Sequence, residues 1–327
     1  MRVAVLGAGA VGTRAIRQLV ASPGVGVDVF DPDQARVARV AEALGPQVVV
    51  RADVRALEDV QLAVLAHPAP HAALAEELLR RGIAVVSVTD DPTDATALLR
   101  LADRAETAGV SVVVGVGFSP GLSCLLARFA ASRFDVVEEI YVAKHGTGGP
   151  ACARQHHASL AGTARSWRPD GWIVQPAGSG RELCWFPEPL GGRDCYRAET
   201  AEPMLLHDAF PEAQRIAART SATRRDRLTS RLPMLSPPHP EGGLGGLRVE
   251  LRGPRGGARA VEVLGAIDRP AIGAGAVAAV VALEVLRGTF PAGAFGLADG
   301  RLPTERLLAE LARRGVKAAT FVGTGAL

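Results

Sequence analysis

A glycine-rich turn between an apolar run and a helical pattern constrains the fold of this chain more than any other feature. Residues 1–12 are Met-Arg-Val-Ala-Val-Leu-Gly-Ala-Gly-Ala-Val-Gly. In this G-x-G-x-x-G spacing, Gly7 permits a tight turn, Gly9 lets a pyrophosphate approach the backbone, and Gly12 lets helix and strand pack closely. Ala10 and Val11 stand at the start of the predicted helix, whose free amides and positive dipole end favour phosphate groups. The pattern predicts a dinucleotide-binding unit.

An acidic residue follows the second predicted strand. Val25–Phe30 predicts that strand, and Asp31 at its end lies where a carboxylate can bind both hydroxyls of a ribose. Because a carboxylate there repels a 2′-phosphate, Asp31 favours NAD as the cofactor, although Arg36, one helical turn further on, keeps NADP possible. Asp31 can also cap the helix that begins near Pro32, and the two roles are compatible.

The spacing of apolar runs predicts the fold class. Up to residue 118, short apolar strands alternate with helices, which indicates strands buried on both faces in a parallel sheet covered by helices. We expect an α/β protein with a Rossmann-type doubly wound parallel sheet in residues 1–118. A second, α+β domain with a mixed or antiparallel sheet is expected in residues 119–265, and helices of residues 266–327 are expected to return to the first domain. Within the second domain, the basic run Ala213–Arg231 predicts a helix.

Composition excludes several classes of protein. The 327 residues are 48% hydrophobic, which suits two domains with a sizeable core. A formal net charge of only +3, with arginines scattered along the chain, gives no indication of nucleic-acid binding. The longest apolar stretch, Ala271–Leu286, is too short and interrupted to span a membrane. Since no secretory signal is visible and the four cysteines form no C-x-x-C pair, a cytoplasmic protein with reduced thiols is expected.

A second informative stretch joins the two predicted domains. It reads Gly115-Val-Gly-Phe-Ser-Pro-Gly-Leu-Ser-Cys-Leu-Leu-Ala127. Its strand, its Gly-x-x-Pro-Gly-Leu turn and its helix resemble the domain junction of the saccharopine dehydrogenase family, and the amino-terminal glycines and domain order agree. The chain is compact for that family, so the resemblance is to the broad group. It implies hydride transfer between a nicotinamide and a C–N bond of an amino acid derivative, and a homodimer through the second-domain sheet.

A further likeness is local. The segment His156-His157-Ala-Ser-Leu-Ala-Gly-Thr-Ala164 is similar to the His-His…Gly-Thr-Ala segment of dihydrodipicolinate reductases. Those enzymes also carry a lysine and a Pro-Ser pair between the two halves of the segment, and this chain has neither. The likeness again implies reduction of an imine.

A proline-rich loop follows the fourth predicted strand. It reads His67-Pro-Ala-Pro-His71. Ligands of open parallel sheets bind outside the carboxyl ends of the strands, so His67 and Pro68 are candidates for contact with the cofactor, and His67 is a weaker candidate for a proton donor. The alternative is a turn that only introduces the next helix.

Candidates for proton transfer lie in the second domain. Imine reduction needs a proton at nitrogen alongside hydride at carbon, so one well-placed acid is required. Lys144 and His145 end a predicted strand, where a lysine can bind a substrate carboxylate or donate a proton, unless it is merely solvated. The only other lysine is Lys317, in a chain with 37 basic Lys and Arg residues. His156 and His157 point about 100° apart on a predicted helix, so only one of them is expected to face a cleft.

Substrate binding and metal binding have weaker candidates. Arg181 can clamp a carboxylate bidentately, and Trp185 can wall a pocket; a solvated or salt-bridged arginine and a tryptophan in core or dimer packing are the alternatives. Cys152 and His156, four residues apart on a helix, share a face as metal ligands do. No further ligands join them at a suitable spacing, so no metal is expected.

The sequence therefore predicts an NAD(P)-dependent oxidoreductase that acts on a C–N bond of an amino acid-derived small molecule. Two alternatives stay open. One is a nucleotide-binding sensor or partner protein without turnover, because no complete catalytic constellation is recognisable. The other is a dehydrogenase that acts on a C–OH group.

Overall fold

A computed structural model describes residues 1–54, 57–234 and 237–320 of the chain. The last part of the predicted carboxy-terminal segment, residues 321–327, therefore lies outside the described residues. The three predicted segment limits stay predictions, and the course of the chain through two sheets is given below.

Strands and helices alternate through the first third of the chain, as the apolar runs predict. The elements are β1 (Arg2–Leu6), α1 (Ala10–Val20), β2 (Gly26–Phe30), α2 (Gln34–Leu44), β3 (Val48–Val50), β4 (Leu62–Leu65), α3 (Ala72–Arg80), β5 (Ala84–Ser87), α4 (Pro92–Leu99), α5 (Ala102–Ala108) and β6 (Ser111–Val114). All four residues of β4, β5 and β6 are buried, which fits strands covered on both faces.

The rest of the chain is richer in strands. The elements are α6 (Leu122–Ala131), β7 (Glu139–His145), α7 (Pro150–Ser159), β8 (Thr163–Arg168), β9 (Gly171–Pro176), β10 (Glu182–Phe186), β11 (Gly191–Arg197), α8 (Glu202–Ala209), β12 (Arg215–Ser221), α9 (Arg224–Thr229), β13 (Gly245–Arg255), β14 (Ala258–Asp268), α10 (Pro270–Leu286), β15 (Gly293–Gly296), α11 (Thr304–Arg313) and β16 (Ala318–Thr320).

The first sheet is a doubly wound parallel sheet. Its seven strands follow the order β15-β6-β5-β4-β1-β2-β3, and every pairing is parallel. The chain proceeds outward from β1 to β3 on one side and then from β4 to β6 on the other. The carboxyl ends of β1 and β4 thus mark the point where strand order reverses, which is where such sheets bind ligands. The predicted Rossmann-type fold is confirmed.

The second sheet is mixed, as predicted. Seven of its nine strands follow the order β10-β11-β12-β7-β13-β14-β16, while β8 pairs with β12 and β9. β12 and β7 run parallel, and the other pairs are antiparallel. One face of the sheet is covered by α6, which packs on β13 and β14. On the opposite face, Arg215 and Arg219 lie with Glu182 and Cys184 of β10, whereas the exposed Leu183 and Trp185 alternate with these residues and point to the other side of β10.

The helix predicted across Ala213–Arg231 is wrong over most of its length. Arg215–Ser221 forms β12, in the interior of the second sheet between β11 and β7. Ile216 and Thr220 are buried on one face, while Arg219 on the other face forms an ion pair with Glu182 at 2.6 Å. Pairing with two neighbouring strands therefore overrides the helical pattern, and within Ala213–Arg231 only Arg224–Thr229 is helical.

Helix α10 connects the second sheet with the first domain. It is 17 residues long and almost wholly buried, and it crosses α1 so closely that a Cβ at Gly275 would lie 2.5 Å from the Cβ of Arg14. Glycine at this crossing lets the two helices approach, so α10 fixes the second sheet against the Rossmann unit. Of the helices that the structure describes, none combines the length and the apolar character needed to cross a bilayer.

Candidate functional site

The glycine loop between β1 and α1 has the geometry of a phosphate cradle. Gly7 has a φ of +107°, and a Cβ there would lie 2.7 Å from the backbone of Ala66, while a Cβ at Gly12 would overlap the carbonyl oxygen of Gly7. A Cβ at Gly9 would meet nothing within 4 Å, so the backbone at this residue borders open space. No side chain caps the first turn of α1, which leaves its amides for an anionic ligand. These residues fit the diphosphate of a dinucleotide.

An open cavity of about 620 Å³ lies in front of this loop. We call it the glycine-loop cavity; Ala8, Gly9 and Ala10 line one side, and Gly149 and Pro150 of the second domain line the other. The groups that would hold a dinucleotide therefore face a space between the two domains.

Asp31 joins the end of β2 to the glycine loop. Its Oδ2 accepts a hydrogen bond from the Ala8 amide at 2.7 Å, and its Oδ1 accepts one from the Asp33 amide at 2.9 Å. Nη1 of Arg36 lies 3.3 Å from both carboxylate oxygens. The N-cap of α2 is Asp33, which accepts from the Arg36 amide, so Asp31 is not the helix cap that the sequence left open.

A buried histidine, His71, forms hydrogen bonds that hold the loop after β4 in place. The ring of His71 is fully buried; its Nε2 donates to the carbonyl oxygen of His67 at 3.0 Å, and its Nδ1 accepts from the Ser87 hydroxyl at 2.8 Å. Burial lowers the pKa of His71 to about 4, and the neighbouring ring of His67 adds to this effect. His71 is therefore neutral at physiological pH, and it fixes the main chain of the loop that contains His67 and Pro68.

A smaller cavity, of about 120 Å³, adjoins the glycine-loop cavity between the domains. We call it the central cavity; the two cavities share Val11, Ala66, Ala151 and Cys152 in their walls. The central cavity lies beyond the carboxyl ends of β4 and β5, and the residues that follow β6 also line it. Its polar side chains include His67, Asp90, Ser119, Lys144, Gln155 and His156.

Lys144 lies beside a carboxylate in the central cavity. Its Nζ is 3.4 Å from Oδ2 of Asp90 and 3.5 Å from the carbonyl oxygen of Ser119, to which it donates. The side-chain amide of Gln155 donates to the other oxygen of Asp90. The sequence analysis does not predict a role for Asp90 or Gln155. Asp90 was detectable, because it follows β5 at the ligand-binding edge of a parallel sheet.

The four candidate histidine and lysine positions separate in the structure. His156 lines the central cavity, with its Nδ1 3.2 Å from the Thr220 hydroxyl, and burial, assisted by Lys144, lowers its pKa to about 4. His157 is buried elsewhere and donates through Nε2 to the carbonyl oxygen of Thr229 at 2.9 Å. His145 contacts the Ser221 hydroxyl at 2.7 Å and is not part of the central-cavity wall. Only Lys144 and His156 of these candidates therefore reach the cavity.

Arg181 and Trp185 are distant from both cavities. The side chain of Arg181 is 70% exposed and forms an ion pair with Asp194 at 3.0 Å. Trp185 is 57% exposed on β10 of the second sheet. Neither contributes to the walls of the central or glycine-loop cavity, so the structure does not bring them together with Lys144.

Cys152 and His156 both line the central cavity. Within the described ranges, no group of three or more His, Cys, Asp or Glu side chains is arranged to hold a metal ion. Burial raises the pKa of the Cys152 thiol, and Asp90 raises it further, so this sulfur is kept in its protonated form.

Comparison with known proteins supports the fold. Residues 1–117 match the oxidoreductase family with the NAD-binding Rossmann fold. Saccharopine dehydrogenase (L-Glu forming) of Saccharomyces cerevisiae superposes with a TM-score of 0.72 at 16% identity, over 98% of this chain and 100% of that one.

Two further structures share the fold over nearly all of both chains. The amine dehydrogenase of Mycobacterium smegmatis has a TM-score of 0.55 at 14% identity and covers 93% of this chain and 96% of its own. A myo-inositol dehydrogenase of Corynebacterium glutamicum has a TM-score of 0.50 at 17% identity, with 99% of each chain covered. The resemblance to saccharopine dehydrogenases is thus confirmed for the fold, and residues 1–117 are similar to the NAD-binding Rossmann fold of an oxidoreductase family.

Proposed function

We propose that this protein is an NAD(P)-dependent oxidoreductase that transfers hydride to or from the carbon of a C–N bond in a small amine or amino acid. The observation that carries the proposal is the Lys144–Asp90 pair, 3.4 Å apart, in a cavity that adjoins the glycine loop. Resemblance to dehydrogenases of saccharopine and of amines supports the C–N bond as the site of reaction.

The charges around the central cavity favour a substrate with one amine and at most one carboxylate. Lys144 supplies a positive charge and Asp90 a negative one, which complements a zwitterion or a neutral amine. His156 is neutral at physiological pH because burial lowers its pKa to about 4. Among the described residues of this cavity wall there is no arginine, so a substrate with several carboxylates would lack partners for them. A volume of about 120 Å³ also favours a small molecule.

The residues of the chain divide the work of such a reaction between binding and proton transfer. The amides at Gly9 and Ala10 would hold the diphosphate of a dinucleotide, and the loop at His67 and Pro68 would contact the part of it that reaches the central cavity. When bound, the nicotinamide supplies the hydride or accepts it. During imine reduction, Lys144 gives its Nζ proton to the substrate nitrogen while carbon gains the hydride, and Lys144 then regains a proton from solvent.

Asp90 and Gln155 position this chemistry. The carboxylate of Asp90 holds the ammonium group of Lys144 and attracts a cationic amine of the substrate. The amide of Gln155 donates to the second oxygen of Asp90 and so fixes the plane of the carboxylate. Val11, Phe118 and Ala274 give the cavity an apolar wall that limits access of water to the reacting atoms.

A C–OH group is the second candidate, since the same fold serves a myo-inositol dehydrogenase and a lysine can also exchange a proton with oxygen. Matched substrates separate the two. Purified protein is mixed with NAD⁺ or NADP⁺ and with pairs that differ only at the reacting heteroatom, such as L-alanine with L-lactate, and reduced cofactor is followed by absorbance.

We expect turnover with amine members of such pairs and none with their hydroxy analogues. Turnover confined to the hydroxy analogues would replace C–N by C–OH chemistry. Tight dinucleotide binding with no turnover across a broad panel of small amines and alcohols would favour a sensor or partner protein.

A further inference from the structure

The glycine-loop cavity is strongly basic. Its wall carries six arginines, contributed by α1, by α2 and by the second-domain side: Arg14, Arg17, Arg36, Arg39, Arg154 and Arg269. Within the described part of the chain, Glu241 is the only carboxylate in that wall. The diphosphate of a dinucleotide carries two negative charges, so the cavity has more cationic groups than that diphosphate needs.

Half of these arginines are already engaged with carboxylates. Arg14 and Arg269 share Glu241, at 3.2 and 3.3 Å. Arg36 contacts Asp31 and lies 3.0 Å from Asp33.

The other half are without such partners. Arg17, Arg39 and Arg154 are exposed and form no ion pair with any residue that the structure describes. Uncompensated guanidinium groups at a cavity wall favour an anionic ligand, and phosphate in particular.

Asp31 does not present a bare carboxylate to this cavity. Both of its oxygens accept backbone hydrogen bonds, from Ala8 and Asp33, and the side chain of Arg36 lies 3.3 Å from each. Asp31 is only 6% exposed and takes no part in the cavity wall, whereas Arg36 and Arg39 do. The negative charge of Asp31, which would repel a 2′-phosphate, is therefore largely neutralised. The guanidinium groups of Arg36 and Arg39 lie where this fold binds the 2′-substituent of the ribose.

We infer that Arg36 and Arg39 bind the 2′-phosphate of a phosphorylated dinucleotide, so that the protein binds NADPH more tightly than NADH. This inference rests on the dinucleotide binding in the proposed function and is independent of the substrate. A 2′-phosphate adds nearly two negative charges at neutral pH, which the unpaired Arg39 and the partly neutralised Arg36 offset. The bond to Asp31 keeps Arg36 oriented before the ligand arrives.

The test isolates the 2′-phosphate from the rest of the cofactor. Isothermal titration calorimetry compares adenosine 2′,5′-bisphosphate with adenosine 5′-monophosphate, which differ only in that group, and NADPH with NADH. We expect the wild-type protein to bind the phosphorylated member of each pair about tenfold more tightly or better, as charge-assisted bonds to one phosphate allow. The preference should fall as ionic strength rises.

Three variants sharpen the result. Arg36→Gln combined with Arg39→Gln should remove the preference while affinity for NADH changes less than about threefold, because only the 2′-phosphate loses its partners. Asp31→Asn keeps an acceptor for the Ala8 amide but removes the charge, so it should increase the preference. Arg80→Gln removes an exposed arginine of α3 outside both cavities and should change neither affinity.

Equal affinities within each wild-type pair, or a double variant that keeps the wild-type preference, would overturn this inference and leave dinucleotide binding intact. Failure of all four nucleotides to bind would overturn both the inference and the proposed function.

Discussion

The hydroxyl of Ser123 lies 2.5 Å from Oε1 of Glu202, a carboxyl group that is only 1% exposed. The hydroxyl of Ser119 donates to the other oxygen of Glu202. Burial is the main cause that raises the pKa of Glu202. Ser119 lines the central cavity, and its carbonyl oxygen accepts a hydrogen bond from Lys144. By binding the hydroxyl of Ser119, Glu202 therefore helps to position the wall of the cavity.

This arrangement predicts a pH-dependent cost of burying Glu202. Its pKa is raised on folding, so its contribution to the free energy of unfolding is greatest below pH 4.5 and is lost as the pH rises through the folded-state pKa. In the Glu202→Gln variant the side chain at this position cannot ionise. The free energy of unfolding of the variant, relative to that of the wild type, should therefore increase as the pH rises above 4.5. Urea unfolding at a series of pH values measures the difference. A difference independent of pH would contradict the prediction.

Two alanine substitutions in the glycine loop should have different effects. One should lower the stability of the protein, and the other should lower its affinity for nucleotide. In Gly12→Ala the new Cβ would overlap the carbonyl oxygen of Gly7, so we expect a loss of about 1–3 kcal/mol in the free energy of unfolding. In Gly9→Ala the Cβ meets no protein atom within 4 Å, so stability should stay near wild type while nucleotide affinity falls. Thermal unfolding and fluorescence titration with NADH and NADPH separate the two effects. Wild-type affinity in Gly9→Ala would show that no ligand approaches the backbone there.

His71 predicts sensitivity to acid. Its pKa is lowered from 6.5 to about 4 on folding, so its stabilising contribution is fully present above pH 6.5 and is lost as the pH falls towards 4. The full effect amounts to about 3 kcal/mol. His71→Gln should be less stable than wild type at pH 7 but should lose less free energy of unfolding between pH 7 and 5. Identical losses in the two proteins would show that another group causes the acid sensitivity.

Lys144 and Asp90 predict a loss of turnover without a loss of cofactor. Lys144→Met removes the proton donor and should lower kcat by about 10²–10⁴-fold, because that is the range of general acid catalysis, while NADPH affinity changes little. Asp90→Asn should lower kcat and raise the KM of the amine substrate. The matched control is Lys317→Met, which alters the only other lysine, an exposed residue far along the chain. Wild-type turnover in Lys144→Met would demote Lys144 to a structural role.

Exposed apolar side chains on strand β10 of the second sheet predict self-association. Leu183 and Trp185 are 58% and 57% exposed on β10, while Cys184 and Phe186 between and beside them are buried. Homodimer formation through the second sheet is still a prediction, and light scattering after gel filtration tests it against a subunit mass of 34.0 kDa. Trp185→Arg places a charge on the exposed apolar surface of β10 and should shift the dimer towards the monomer. A wild-type mass equal to one subunit would exclude the dimer.

Local patterns sufficed where structure depends on a few consecutive residues. The turn at Gly7–Gly12 and the placement of Asp31 after β2 follow from backbone freedom and from short buried strands. Their geometry is set within one β-α-β unit, so the sequence alone determined the Rossmann domain and its dinucleotide loop.

Tertiary structure decided what depends on contacts between distant segments. Asp90 and Lys144 are 54 positions apart and meet only because β5 and β7 end at the same cleft. The same reason applies to β12, where pairing with β7 and β11 makes Arg215–Ser221 a strand despite a helical pattern. It also applies to Asp31, whose carboxylate accepts a hydrogen bond from the Ala8 amide, 23 positions away. The periodicity of a local sequence does not indicate such long-range partners. These partners decide which charges are paired and which side chains line a cavity.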